Sequence, residues 1–183
     1  MAIPSFALRS AIREAARLAF SLVRADHAHQ RFYYFALVTT AKAACPVPCA
    51  CSVEGLISTL TEYRQNGYYY DVEDLRWSVV DSPYFLYGDE YFEGVREMFD
   101  MPGHGATRPN NMRGKDIALR LTAMEGALHD LDREGFFGKG EDREKVVINV
   151  VMTEGEQDRI MFARAGNLNP AKSLGVMQHD LWG

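Results

Sequence analysis

The 183-residue sequence predicts an α+β fold, organised as one domain over residues 1–183. In several stretches the apolar residues recur at spacings of three and four, which is typical of amphipathic helices. Other stretches are short apolar or alternating runs of strand length, and no internal repeat or linker divides the chain. We therefore expect about four mostly antiparallel strands in one sheet, flanked by four to five helices.

The N-terminal third predicts a helix followed by two strands. Helical spacing covers Ser5–Ala25, with arginines on the opposite side. Arg31–Thr40 is apolar or aromatic at nearly every position, which is typical of a central strand buried on both faces. Ala43–Ser52 contains Pro46 and Pro48, which cannot donate to a ladder. This segment is therefore predicted to be an edge strand, paired by a hairpin to the first.

The middle of the chain predicts a helix, a strand and a second helix. Ser52 is a suitable N-cap for a helix that ends at Gly67 in the left-handed conformation. Apolar residues alternate with polar ones over Leu75–Val79, which predicts the third strand. From Asp89 the spacing is helical again, and Pro102 ends that helix.

The last third begins with a predicted loop, Pro102–Gly114, rich in glycine, proline and asparagine. A helix follows over Ile117–Leu131, and Val146–Met152 is a continuous apolar run that predicts a buried strand. A shorter helix, Glu156–Ala165, and an irregular tail over residues 171–183 complete the chain. Because two helices separate the third and last strands, a parallel pair is allowed there.

Composition excludes several classes of protein. A hydrophobic content of 47% with 25% charged residues is typical of soluble domains. The isoelectric point near 5.5 argues against nucleic-acid or anionic-membrane binding, since both require an excess of Lys and Arg. Met1–Arg24 carries four arginines without an uninterrupted apolar run, which fits neither a signal peptide nor a membrane span. We therefore expect a cytoplasmic protein with reduced cysteines.

The strongest departure from average composition is a local one. Residues 71–100 contain nine carboxylates and two arginines, which give this stretch a formal charge of −7 when the whole chain carries −5. Ten of the twenty-one aromatic residues fall between Tyr68 and Phe99. Because carboxylates steer a basic partner and aromatic rings supply contact area, this acidic segment predicts a protein-binding surface.

Within the acidic segment, spacing separates core residues from candidate contacts. Trp77, Phe92 and Phe99 lie at positions whose period predicts burial. Tyr68–Tyr70, Tyr84 and Tyr87 show no such period, so they are better candidates for contact. The predicted partner-binding residues are the acids Asp71, Glu73, Asp74, Asp89, Glu90 and Glu93, with Tyr84 and Tyr87 as anchors.

No motif for catalysis or metal binding is found. The chain has no nucleophile elbow, and the loop residue His104 is the most exposed-looking candidate for a base. Cys45, Cys49 and Cys51 follow two histidines, but one cluster interrupted by prolines does not match the paired spacing of zinc sites. We therefore predict no catalytic residue, no metal and no cofactor.

Four segments carry a resemblance to a known family. They are Phe32-Tyr33-Tyr34-Phe35-Ala36-Leu37, Leu75-Arg76-Trp77-Ser78, Leu131-Asp132-Arg133-Glu134-Gly135-Phe136-Phe137-Gly138 and Asn167-Leu168-Asn169-Pro170. Over about residues 5–170 the chain resembles an uncharacterised bacterial domain family whose members are found beside secreted toxin genes. That family is similar to immunity proteins, which protect a producing cell from its own type VI secretion effector.

The resemblance implies a cytoplasmic inhibitor whose partner is a cognate secreted effector, a basic protein such as a nuclease. One alternative is a small hydrolase or transferase with a cleft near the 102–114 loop. Another is a structural or adaptor protein of the secretion apparatus. The edge strand and the exposed aromatic residues also allow a homodimer.

Overall fold

A computed structural model describes residues 5–100, 110–154 and 158–182. Its sheet has four strands in the order β3-β2-β1-β4. The strands are β1 (Phe32–Thr39), β2 (Val47–Ser52), β3 (Tyr84–Phe85) and β4 (Val147–Met152). β1 pairs antiparallel with β2 and parallel with β4, and β2 pairs antiparallel with β3. The α+β class with one mostly antiparallel sheet is confirmed.

The described residues form eight α-helices around this sheet. They are α1 (Ser5–Asp26), α2 (Val53–Gln65), α3 (Val72–Arg76), α4 (Glu93–Asp100), α5 (Asn110–Arg133), α6 (Glu141–Glu144), α7 (Asp158–Leu168) and α8 (Gly175–Trp182). Short 3-10 turns precede α4 and α8, at Asp89–Phe92 and Ala171–Leu174. Across the described ranges, no helix is both long and apolar enough to cross a bilayer.

The central strand β1 divides the interior into two cores. Phe35 and Leu37 belong to the first core, which α1 and α5 complete. Tyr34 and Ala36 point to the opposite face and belong to the second core, together with residues of α7 and α8. Because both faces are covered, the expectation of a strand buried on both sides is confirmed.

The prediction that the second strand lies at an edge is wrong, because β3 pairs with its outer side. That pairing covers only Cys49 and Ala50, so neither proline is required to donate a ladder hydrogen bond there. Pro48 instead accepts a hydrogen bond through its carbonyl oxygen, from the amide of Leu86 at 2.9 Å. The predicted hairpin pairing of this strand with β1 is confirmed.

The predicted strand at Leu75–Val79 is also wrong. These residues lie at the end of α3 and in the turn that follows it, and the third strand is Tyr84–Phe85. Leu75, Trp77 and Val79 are nevertheless buried. The short helix α3 passes into a turn, and this geometry buries every second residue from Leu75 to Val79. The resulting alternation of buried and half-buried residues resembles that of a strand.

Two further boundaries differ from the sequence-based expectation. The predicted loop Pro102–Gly114 falls largely outside the described residues, which omit 101–109, whereas Asn110–Gly114 belongs to α5. The predicted tail is not irregular: through residue 182 it consists of a 3-10 turn and α8, with Met177 fully buried.

Candidate protein-interaction surface

The segments that carry the resemblance hold the fold together. In Leu75–Ser78, the guanidinium of Arg76 and the indole Nε1 of Trp77 both donate to the carboxylate of Asp180, at 3.0 and 2.9 Å. The Asp180 side chain is only 2% exposed. This charge-assisted pair of hydrogen bonds docks α8 onto the end of α3.

Residues of the next segment, Leu131–Gly138, surround two arginines. Asp132 accepts a hydrogen bond from the buried Arg143, and the Phe136 ring lies 4.8 Å from the guanidinium of Arg24. Arg24 also donates to the Phe136 carbonyl at 2.7 Å. Burial lowers the pKa of Arg24, whereas the Phe136 carbonyl and ring stabilise the positive charge of its guanidinium.

Asn169, in the last segment, completes the edge of β4. Its amide accepts from the Ile148 N–H at 2.8 Å and donates to the Ile148 carbonyl at 2.7 Å, as a neighbouring strand would. Arg143 donates to the same Asn169 oxygen at 3.1 Å, and Arg164 donates to the Val150 carbonyl. Side chains therefore satisfy and cover an edge that could otherwise pair with another chain.

All three cysteines are free thiols; Cys49 and Cys51 are buried and Cys45 is half-buried. Cys49 and Cys51 lie in the second core, and the Cys49 thiol donates to the Val79 carbonyl at 3.4 Å. Burial raises the pKa of Cys45 to about 12. A hydrogen bond with Cys51, together with burial, raises the pKa of Cys49 well above its usual range. A thiol held protonated is a weak nucleophile and a weak metal ligand. Within the described ranges no group of three or more His, Cys, Asp or Glu residues is placed to hold a metal ion.

The structure divides the acidic segment between the two sides of the sheet. Helix α3, which carries Glu73 and Asp74, packs against α2 and α8, and Trp77 at its end belongs to the second core. The later acids lie on the 3-10 turn and α4, whose Phe92 and Val95 belong to the first core. The predicted surface therefore consists of two patches.

The first patch follows α2. Gly67, with φ +84°, ends this helix in the predicted left-handed conformation, and the Tyr68 amide then donates to the Tyr63 carbonyl at 2.9 Å. The chain thereby folds back, and the Tyr63 ring lies 5.3 Å from that of Tyr70. The Tyr63 hydroxyl donates to Asp81 at 2.5 Å, which raises the pKa of Tyr63 to about 12.

Large side chains of this first patch remain in solvent. Tyr68, Tyr69 and Tyr70 are 59%, 79% and 45% exposed, and Val72 is 37% exposed. Asp71, Glu73 and Asp74 beside them are also exposed. We call this group the tyrosine patch, and it comprises Tyr63, Tyr68, Tyr69, Tyr70, Asp71, Val72, Glu73 and Asp74.

The prediction that Tyr84 is a surface anchor is wrong. Its side chain is 6% exposed and belongs to the first core. The hydroxyl donates to Gln30 at 2.5 Å, and the ring lies 4.7 Å from His27. Because β3 pairs with β2, the Tyr84 ring points inward with Ala50 opposite it.

The second patch surrounds the turn after β3. Tyr87 is half-buried and donates its hydroxyl to Asp26 at 2.6 Å, which raises its pKa. Asp89 is paired with Arg96, whereas Glu90 and Glu93 are exposed. Leu86 and Tyr91, at 45% and 38% exposure, complete it. We call this group the turn patch: Leu86, Tyr87, Glu90, Tyr91 and Glu93.

Sequence reasoning missed Leu86 as a candidate contact residue. A single leucine between Phe85 and Tyr87 carries no periodic signal, and its backbone conformation is unusual for leucine. The missing period predicted exposure correctly for Tyr68–Tyr70, but it failed for Tyr84, which is buried.

Taken together, these features define an α+β domain with structural arginine and asparagine networks and two exposed patches of aromatic and acidic residues. The chain belongs to the DUF4303 family, a domain of unknown function, whose model matches residues 12–170. No curated protein and no solved structure matches the chain significantly.

Proposed function

We propose that this protein is a cytoplasmic immunity protein that binds and neutralises a cognate secreted antibacterial effector, a basic nuclease. The observation that carries the proposal is the tyrosine patch. Three consecutive tyrosines stand 45–79% exposed beside three exposed acids. A monomer gains little from presenting that much aromatic area to water, whereas an interface gains contact area from it.

The chemistry of the tyrosine patch fits a basic protein surface. Tyrosine offers an apolar ring and a hydroxyl on a side chain with few rotatable bonds, so little entropy is lost on binding. The acids favour a partner rich in Lys and Arg and raise the association rate by steering. A nuclease has such a surface where it binds phosphates, so an acidic inhibitor is suited to occupy that site.

The first test concerns protection in cells. We expect the product of the gene immediately upstream to arrest growth when expressed alone, and co-expression of this protein to restore growth. A purified one-to-one complex of the two would account for the protection. Growth arrest that this protein fails to relieve, or a neighbour without toxicity, would contradict the proposal.

The second test concerns the acids of the tyrosine patch. We expect the triple variant Asp71→Lys, Glu73→Lys, Asp74→Lys to associate with the effector at least about tenfold more slowly and with weaker salt dependence, because it loses steering. Stopped-flow measurements at several ionic strengths would record both effects.

A matched control changes the net charge equally elsewhere. Glu141, Glu154 and Asp158 are exposed acids outside both patches. Their triple reversal to Lys changes only the overall field, so we expect a smaller decrease in rate. Equal effects of the two triple variants would remove the tyrosine patch from the interface.

A further inference from the structure

Leu86 adopts a backbone conformation that leucine rarely adopts. Its φ is +65°, in the left-handed region where the β-carbon crowds the neighbouring carbonyl. Within the described residues, one other non-glycine residue has a positive φ, Ala43 at +47°. Strain of this kind persists only where the surrounding structure enforces it, and it is concentrated at functional sites.

The turn requires the backbone conformation but not the leucine. The Leu86 amide donates to the Pro48 carbonyl at 2.9 Å, and its own carbonyl accepts from the Asp89 amide at 3.1 Å. Both bonds use main-chain atoms, so glycine would make them without the strain.

Two residues further on, the same turn uses glycine. Gly88 has φ +79°, and a β-carbon there would lie 2.8 Å from the Cα of Ala19. Leu86 is the other left-handed position of this turn, and it bears a large apolar side chain that is 45% exposed. Its side chain therefore recovers only part of the cost of the backbone conformation by burial.

The surroundings of Leu86 are aromatic and acidic. Tyr87 is held by its hydrogen bond to Asp26, and the exposed Glu90 lies on the 3-10 turn that follows. Tyr91 is 38% exposed. An exposed apolar side chain on a fixed backbone, beside tyrosines and acids, offers a partner contact area that is already in place before binding.

We propose that Leu86 is an apolar anchor for the effector, and that the effector presents an apolar pocket with basic residues at its rim. This inference rests on the proposed function, and it adds a second contact region to the tyrosine patch. Because the anchor is fixed before binding, its insertion costs little conformational entropy.

Two substitutions of Leu86 distinguish the effect of its side chain on binding from the effect of its strained backbone on stability. Leu86→Ala removes most of the side chain but keeps the β-carbon that causes the strain. Leu86→Gly removes the whole side chain, including the β-carbon. Val176→Ala is the control, because Val176 is 52% exposed and lies on α8, outside both patches. The measurements are the Kd for the purified upstream gene product by calorimetry and the Tm of each free protein.

We expect both Leu86 variants to bind at least about tenfold more weakly than the parent, while Val176→Ala binds within twofold of it. We also expect a higher Tm for Leu86→Gly than for Leu86→Ala, because only the alanine variant keeps the left-handed strain. This combination would identify a residue retained for binding at a cost in stability.

Three outcomes would contradict the proposal that Leu86 is an anchor. Unchanged affinity of both Leu86 variants would exclude it while leaving the immunity function intact. A Tm of Leu86→Gly below that of Leu86→Ala would show that the position is not strained. A parent protein that forms no complex with the upstream gene product would overturn the proposed function, and the anchor with it.

Discussion

Asn169 illustrates how much one side chain can decide. Its amide pairs with both backbone groups of Ile148 and donates to the Ala165 carbonyl at 2.8 Å. The segment Asn167–Pro170 was recognisable in the sequence, but the role of Asn169 was not. That role depends on a strand 21 residues earlier, and local pattern carries no information about such a contact.

Replacement of Asn169 should therefore be costly. We expect Asn169→Ala to lower the free energy of unfolding by about 2–3 kcal/mol, because it leaves backbone groups of β4 without partners. Asn169→Asp should also destabilise, since a carboxylate cannot donate to the two carbonyls. Urea unfolding would measure both changes.

The neighbouring Asn167 provides the control. It is exposed, so we expect Asn167→Ala to change the stability by less than about 0.5 kcal/mol. Equal losses for the alanine variants at 167 and 169 would show that the edge contact does not stabilise the fold.

At the scale of elements, the seam between α1 and α5 combines apolar packing with ion pairs. Arg9 donates two hydrogen bonds to Asp130, at 2.7 and 2.5 Å, and Arg17 pairs with Glu134. The guanidinium of Arg9 holds the pKa of Asp130 below its ordinary value of 3.8. The sequence showed the arginine-bearing side of α1, but not its acidic partners, Asp130 on α5 and Glu134 directly after it.

The ion pair between Arg9 and Asp130 should make the free energy of unfolding depend on pH in the acidic range. The pKa of Asp130 is lower in the folded protein than its ordinary value of 3.8. The carboxylate therefore contributes to the free energy of unfolding above pH 3.8, and this contribution is lost as the pH falls through the lower pKa of the folded state. We expect Asp130→Asn to cost about 0.5–1 kcal/mol at pH 7, since both side chains are partly exposed.

The difference between parent and Asp130→Asn should shrink as the pH is lowered below 4. Denaturation at pH values from 7 to 3 would follow it. The exposed Glu154→Gln serves as a control and should change stability little at any of these pH values. A pH-independent cost of Asp130→Asn would mean that packing, and not charge, accounts for it.

Two of the mispredicted elements show where local pattern fails. Leu75–Val79 alternates like a strand, yet the hydrogen bonds of Arg76 and Trp77 to Asp180 hold it as a helix end and turn. The region after residue 170 lacked clear periodicity, but α8 is held in place by the same contact. Both errors concern segments whose partners are about a hundred residues away, so tertiary contacts overrode local preference.

At the scale of the whole molecule, the acidic segment crosses the edge of the sheet at β3. Its first acids accompany α3 on the side of the second core, and its later acids accompany α4 on the side of the first core. An effector that contacts both patches must therefore reach around this edge. An effector that contacts one patch would leave the other in solvent.

Charge reversal of the second patch should distinguish these arrangements. We expect Glu90→Lys with Glu93→Lys to slow association by itself, and to add to the effect of reversing the three acids of the tyrosine patch. Additivity is expected because the two patches share no contact residue. Stopped-flow rates of the three variants would measure it, and a rate unaffected by the Glu90 and Glu93 changes would confine the acidic contact to the tyrosine patch.

The sequence by itself determined the α+β class, the long helices, the buried central strand and the left-handed end of α2 at Gly67. These features depend on residues within a few positions of one another, and periodicity and turn chemistry report such neighbours directly. Only the tertiary structure decided the strand order, the inward ring of Tyr84, the exposed Leu86 and the division of the acidic segment. Each of these depends on pairing between residues far apart in the chain, which no local pattern encodes.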